Sequence, residues 1–240
     1  MSAPRRIGVL GGMGPEATVL LMSRLIAATP ADDDADHIPL SVDMNPQVPS
    51  RIARLIDGTG DDPAPVLAAM AQGLARAGAQ ALAMPCNTAH NYADAIRDAV
   101  EIPLLDMVDL SVVQAASQAT NDRIGILGSP ALQMTGLFDR VLGKRGLTAL
   151  YPQDQAAMLA AIRGIKSGAR SGTANKTLKA AAQNLASQGA SVNLIACTEF
   201  SLIADAAHGT VVVIDTLDVL VKAMVGFALG TTPDKHLKAE

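Results

Sequence analysis

The sequence predicts an α/β fold of two similar lobes related by pseudo-two-fold symmetry, each with a four-stranded, mainly parallel sheet flanked by helices. Short apolar runs recur along the 240 residues, amphipathic patterns of helical period fall between them, and landmarks of this order repeat halfway along the chain. Continuous apolar runs imply burial on both faces, the environment of a parallel strand. Strand and helix in alternation build such a sheet.

The first run, 7–10, reads Ile-Gly-Val-Leu and leads into a helix with Ala17, Leu21, Leu25 and Ala28 on one face. A run at 39–42 comes before an Asp61-Asp62-Pro63 helix start, after which Leu67, Met70, Leu74 and Ala77 share a face. Runs at 79–84 and 103–106 close the first set, with Tyr92, Ile96 and Ala99 as the stripe between them. The second set is 124–127, 148–151, 192–196 and 211–215. An apolar pattern around Ile162 and Ile165 and a stripe of Leu178, Ala182 and Leu185 lie within it. A last helix over 217–229 is predicted to pack back on the first half.

Three anchors repeat in the same order. Arg6-Ile7-Gly8-Val9-Leu10-Gly11 returns 117 residues later as Arg123-Ile124-Gly125-Ile126-Leu127-Gly128. Gly78-Ala79 stands eight residues before Cys86, and Gly189-Ala190 stands eight before Cys197. Asp106 and Asp109 return as Asp215 and Asp218. The chain therefore divides into a first lobe of 1–107 plus 217–240 and a second lobe of 108–216, with the cleft between them.

Composition narrows the function. A net charge of -4 and 2% aromatic residues leave neither a basic footprint nor stacking platforms for nucleic acid. At 49% hydrophobic residues the chain is not disordered, and its core must be Ala, Val, Ile, Leu and Met. The lead, 1–6, is polar, and glycines interrupt the apolar stretch after it, so no secretory signal is read. The most apolar segment, 210–229, contains Asp215, Asp218 and Lys222 and is no membrane span. The expectation is a cytoplasmic protein, in which two cysteines stay reduced and are either filler or chemistry.

The repeat favours chemistry. Cys86 and Cys197 occupy equivalent positions, each after a buried strand and before polar residues opening a helix. Ligands of open α/β sheets bind at the carboxyl ends of strands. Across a pseudo-two-fold axis the two thiols can face one cleft. A helix N-terminus favours the thiolate, so a lowered pKa is expected for each. A thiolate on one side of a bound carbon and a thiol on the other form a base and an acid that invert a stereocentre. Asn87, Thr88 and Thr198 sit where donors would stabilise charge developing on an adjacent carboxylate. An α-proton is far less acidic than a thiol of pKa about 8.5, so the site must supply substantial stabilisation.

Four motifs carry a resemblance. They are Ile7 to Thr18 (IGVLGGMGPEAT), Asn45 to Arg51 (NPQVPSR), Met84 to His90 (MPCNTAH) and Ala196 to Glu199 (ACTE). In these the chain resembles the cofactor-independent aspartate/glutamate racemase family, most of all its aspartate branch. The resemblance implies a homodimer with no cofactor and a small acidic amino acid as substrate. It implies Cys86 and Cys197 as the acid/base pair, and Asn87, Thr88 and Thr198 as ligands of the α-carboxylate or ammonium. Arg51 resembles the cation that reads the side-chain carboxylate, and Lys166 is a candidate second cation. Relatives with one cysteine are decarboxylases, and other two-cysteine relatives isomerise maleate or racemise hydantoins. Both remain alternatives, as does a two-lobed binding protein that has lost catalysis.

The segment Gly12 to Ala17 fits the loose dinucleotide pattern G-x-G-x-x-A, but Asp43, the acidic residue near the second strand, lies 31 positions after Gly12 rather than about 20. Met13 and Gly14 are read instead as cleft wall. His90 lies one helical turn past Cys86, where it can tune the thiol or bond along the helix. His37, His208 and His236 show no metal spacing. Asp106 and Asp215 are read as caps of the following helices. Glu199 is read as a helix cap or a cleft residue. The stretch 32–36 is expected to be a solvated loop, and 231–240 a frayed tail.

Overall fold

The computed structural model describes residues 3–168, 172–209 and 211–231. The expected tail beyond 231, with His236, lies outside the described residues.

Among the described residues eight strands form two sheets, and each predicted strand is present within a residue or two. In the first, β1 (Ile7–Gly11), β2 (Leu40–Met44), β3 (Ala81–Ala83) and β4 (Leu104–Leu105) run parallel in the order β2-β1-β3-β4. In the second, β5 (Arg123–Gly128), β6 (Thr148–Leu150), β7 (Val192–Ala196) and β8 (Val212–Asp215) run parallel in the order β6-β5-β7-β8. The two orders are the same, as the sequence repeat predicts. The central strands β1, β3 and β7 are buried along their whole length, which explains their unbroken apolar character.

Helices cover the sheets. In the first half these are α1 (Pro15–Ala28), α2 (Ala64–Arg76), α3 (Ala93–Arg97) and α4 (Met107–Gln118). In the second they are α5 (Pro130–Thr135), α6 (Leu137–Gly143), α7 (Gln155–Lys166), α8 (Gly172–Ser187) and α9 (Thr216–Ala228). Ala17, Leu21 and Leu25 of α1 and Leu67, Met70 and Leu74 of α2 face the core as expected. The last members of those stripes, Ala28 and Ala77, are exposed at the helix ends. The third stripe belongs to a broken element: a 3-10 turn at Thr88–Tyr92 followed by the five-residue α3.

Two helices exchange sides. α4 follows the last strand of the first sheet, yet Val108, Val112 and Ala115 pack with Ile124, Ile126, Val192 and Leu194 of the second. α9 follows the last strand of the second sheet, yet Leu217, Leu220, Val221, Met224 and Phe227 pack with Ile7, Val9, Leu21 and Leu25 of the first. Leu110 of α4 packs against both clusters. The two aspartates cap these helices as expected. Asp106 Oδ1 accepts from the Val108 and Asp109 amides at 2.9 and 3.0 Å, and Asp215 Oδ1 from the Leu217 amide at 2.9 Å. Residues 32–36 are exposed but hold a 3-10 turn, Asp34–Asp36, closed by an Asp33 capping box. Among the described residues no helix is long and apolar enough to cross a membrane.

Candidate active site

In each sheet the strand order reverses beside the first strand, so the loops leaving β1 and β3, and those leaving β5 and β7, diverge and open a crevice at their carboxyl ends. Met13 follows β1, Cys86 to Thr88 follow β3, Ser129 follows β5, and Cys197 to Glu199 follow β7. All of them line one inner cavity of about 30 Å³, completed by Arg51 after β2 and Lys166 at the end of α7. That volume holds a water or two and is smaller than an amino acid. A larger outer cavity of about 590 Å³ adjoins it, and Ser50, Arg51, Lys166 and Glu199 line both.

Nine of the ten residues singled out from the sequence line the inner cavity, and Gly14 lines the outer one. A Cβ on Gly14 would stand 3.3 Å from Glu199 Oε1, so the bare backbone is part of that wall. Gly12 has φ +90°, and a Cβ there would strike the Asn45 carbonyl carbon at 2.4 Å. Glycine is required at this position for the turn and for the approach of the β2 loop.

The two cysteines are free and buried, each 8% exposed. Their surroundings differ from the expected helix N-termini. Each is followed by a 3-10 turn, Thr88–Tyr92 or Phe200–Ala207, rather than an α-helix. Such turns align few peptide dipoles. Cys197 is the reverse of the expectation of a lowered pKa. Burial pushes its thiol well up, and the carboxylate of Glu199 adds to the effect while Lys166 opposes it.

Glu199 is placed by that contact. Its side chain makes no helix-capping bond. Instead Oε2 accepts from the Cys197 Sγ at 3.1 Å, and Oε1 pairs with Lys166 Nζ at 3.2 Å. Burial works against the Lys166 charge, but Glu199 and the two cysteines outweigh it and raise its pKa. Arg51 is 9% exposed, and its Nη1 donates to the carbonyls of Val48 and Pro49 at 3.2 and 2.9 Å. Its Nε is buried with no partner.

Asn87 is oriented from the other lobe. Thr216 gives its hydroxyl hydrogen to the Ile195 carbonyl at 2.8 Å, so it accepts from Asn87 Nδ2 at 2.9 Å. The amide oxygen of Asn87 is left buried and unpaired. Thr198 donates its hydroxyl to the Pro85 carbonyl at 3.0 Å, tying the two cysteine loops together. That hydroxyl hydrogen is therefore committed, whereas the half-buried Thr88 hydroxyl makes no hydrogen bond within the described residues. His90 bonds along the backbone. Its Nε2 accepts from the Met107 amide at 3.1 Å, which puts the ring hydrogen on Nδ1, 2.9 Å from the Cys86 carbonyl. It positions the Cys86 loop.

Ser50, Ile52, Ser129 and Ile162 also line the inner cavity and were not singled out from the sequence. Ser129 directly follows the second copy of the first anchor and was reachable through the repeat. Ile162 lies one helical turn before Lys166 on the same face. Ser50 and Ile52 flank Arg51 and carried no signal of their own. Among the described residues no cluster of three or more His, Cys, Asp or Glu could hold a metal.

The chain as a whole is similar to known proteins. The chain is 25% identical to the broad-specificity amino-acid racemase RacX of Bacillus subtilis (strain 168), over 91% of this chain and 96% of that one. It superposes on the aspartate racemase of Picrophilus torridus with a TM-score of 0.80 and 25% identity, covering 93% and 94% of the two chains. An aspartate racemase homologue from Pyrococcus horikoshii OT3 shares the fold with a TM-score of 0.73 at 18% identity, covering 94% and 99%. A family profile described as Asp/Glu/Hydantoin racemase matches residues 10–224, nearly the whole described fold. With both lobes and both cysteine loops inside that match, the chain belongs to the Asp/Glu/hydantoin racemase family.

Proposed function

We propose that this protein is a racemase of acidic amino acids, aspartate and also glutamate, which inverts the α-carbon by proton transfer between two thiols and without pyridoxal phosphate. The observation that carries the reading is that Cys86 and Cys197, drawn from equivalent loops of the two lobes, line the same cavity. One cysteine, as thiolate, takes the α-proton from one face of the substrate, and the other, as thiol, returns a proton to the opposite face.

The polar groups of the cavity suit a zwitterion. The Asn87 amide oxygen and the Glu199 carboxylate accept from the ammonium, and the Thr88 hydroxyl donates to the α-carboxylate as enolate-like charge builds on it. Thr198 supports this pair by holding the loop it bonds. Arg51 and Lys166 read the side-chain carboxylate, for which a guanidinium offers two parallel donors. Met13 and the Gly14 backbone wall the space beside them. The reading includes a cytoplasmic homodimer, and light scattering of the purified protein checks the oligomer. It also includes the division into 1–107 with 217–240 and 108–216, which the exchange of α4 and α9 supports.

The test is exchange at Cα. The purified protein is incubated in heavy water with each amino acid and no added cofactor. Deuterium incorporation and loss of optical activity with aspartate or glutamate are expected. Binding with no exchange for any amino acid would return the protein to the ligand-binding class.

A further inference from the structure

Asn87 lines the inner cavity, but the side chain that orients it stands behind the wall. Thr216, the first residue of α9, is fully buried and lines no part of that cavity. Its hydroxyl has one hydrogen, which the Ile195 carbonyl takes at 2.8 Å, so toward Asn87 it can only accept. It holds Nδ2 at 2.9 Å, which leaves the unpaired Oδ1 as the group Asn87 offers to the cavity. With the amide turned round, Oδ1 and the Ile195 carbonyl would compete for that one hydrogen. Both side chains are buried, so an acceptor left without a partner there is costly. The repeat holds no second copy of this pair. Counted from the cysteines, Asn87 corresponds to Thr198, and counted from the capping aspartates, Thr216 corresponds to Met107. Thr198 bonds to the Pro85 carbonyl, and Met107 brings a backbone amide, donated to His90, in place of a hydroxyl.

We propose that Thr216 is a specificity-determining positioning residue: by fixing the Asn87 amide as an acceptor, it makes the site choose an α-ammonium over a dicarboxylate that has no α-amino group. The proposal rests on the acidic amino-acid reading above and adds the residue that sets its amino side. A charged N–H donor on a held carbonyl oxygen makes a stronger hydrogen bond than a neutral one. An amide free to rotate would also present Nδ2, which meets an ammonium donor to donor. Because the pair occurs in one lobe alone, it gives the ammonium a single address in a cavity otherwise built from equivalent loops. Thr216 touches no substrate and acts through Asn87.

The experiment compares aspartate with succinate, which has both carboxylates and no amine, by titration calorimetry of the full-length protein. Thr216→Val keeps the shape of the side chain and removes the acceptor. Aspartate is expected to bind about tenfold more weakly, the scale of a lost charged hydrogen bond, and succinate as before. Thr216→Ser restores the hydroxyl and is expected to restore aspartate affinity. In the Asn87→Ala background, adding Thr216→Val is expected to change nothing further, since the effect passes through the amide. Equal weakening of both ligands overturns the proposal, as do unchanged aspartate affinity and a further loss in the Asn87→Ala background. If Thr216→Val fails to fold, the side-chain amide of Asn87 in the unaltered protein decides. Slow hydrogen exchange without ligand, seen by NMR, supports the held amide, and exchange at the rate of an exposed amide overturns it. The comparison needs no turnover. If the unaltered protein racemises nothing, the functional reading fails, while the aspartate-to-succinate ratio still decides on Thr216.

Discussion

Cys86 and Cys197 are the same sequence position used twice, but the fold gives them different neighbours. Cys197 meets a carboxylate at 3.1 Å, whereas Cys86 sits on a loop whose carbonyl is held by His90. Serine at either position is nearly isosteric and a far weaker acid. Cys86→Ser and Cys197→Ser are each expected to lower racemisation by about 10²-fold or more with little change in thermal unfolding. Near-normal turnover in either variant, measured by polarimetry, returns that cysteine to a packing role. Arg51 makes a second residue-scale prediction. Two of its bonds hold the 48–49 backbone, so its charge is fixed in place at the cavity wall. Arg51→Ala is expected to raise KM for aspartate at least tenfold more than for a neutral amino acid, a charged hydrogen bond being worth about 1.5–3 kcal/mol. Equal loss for both substrates counts against its role as reader of the side chain.

At the scale of elements, each lobe places its chemistry by the same device. A buried parallel strand ends, the chain turns, and within three residues a cysteine lines the crevice. The capping aspartates of the two exchanged helices differ in the segments they join: Asp106 pairs with Arg97 of the adjacent α3, whereas Asp215 reaches across the molecule. Asp215 caps α9, accepts from Ser201 Oγ at 2.7 Å and pairs with Arg24 Nη1 at 2.6 Å, so one carboxylate joins α1, α9 and the turn after Cys197. Asp215→Ala removes the cap, about 1 kcal/mol, and leaves the buried Ser201 hydroxyl unpaired, about 1–2 kcal/mol more. A loss of about 2–3 kcal/mol is expected in urea unfolding, with turnover lowered as the start of α9 and Thr216 shift beneath Asn87. A loss of a few tenths would mean that Arg24 and the backbone hold the junction without it.

At the scale of the molecule, α9 closes the first lobe. Leu217, Leu220, Val221, Met224 and Phe227 are buried against β1, β3 and α1. Five such side chains contribute about 8–15 kcal/mol, as much as the whole stability of a typical domain. A chain ending at Asp215 is therefore expected to be insoluble or to lack a cooperative unfolding transition. A folded 1–215 fragment, seen by calorimetry, would show that the lobe stands without its helix. Because α9 returns from the end of the chain to close the first sheet while α4 covers the second and packs beside it, the crevice walls are held in one arrangement.

The repeat, the eight strands, the helix caps and nine of the residues around the inner cavity were legible in the chain, because strand burial and loop position follow from local pattern and from the duplication. The surroundings of the thiols were not. The motif places Glu199 two residues after Cys197, but a sequence cannot say that its carboxylate turns back to the sulfur rather than capping a helix. Nor can it say that Lys166, 33 residues earlier, meets that carboxylate. Periodicity also overread the helix after Cys86, where a 3-10 turn replaces the first α-helical turn. Fold, lobe symmetry and the pairing of two cysteines at equivalent loops are properties of residue order. Which thiol holds its proton depends on burial and on charges brought together from distant segments, and those exist only once both lobes have closed around the cavity.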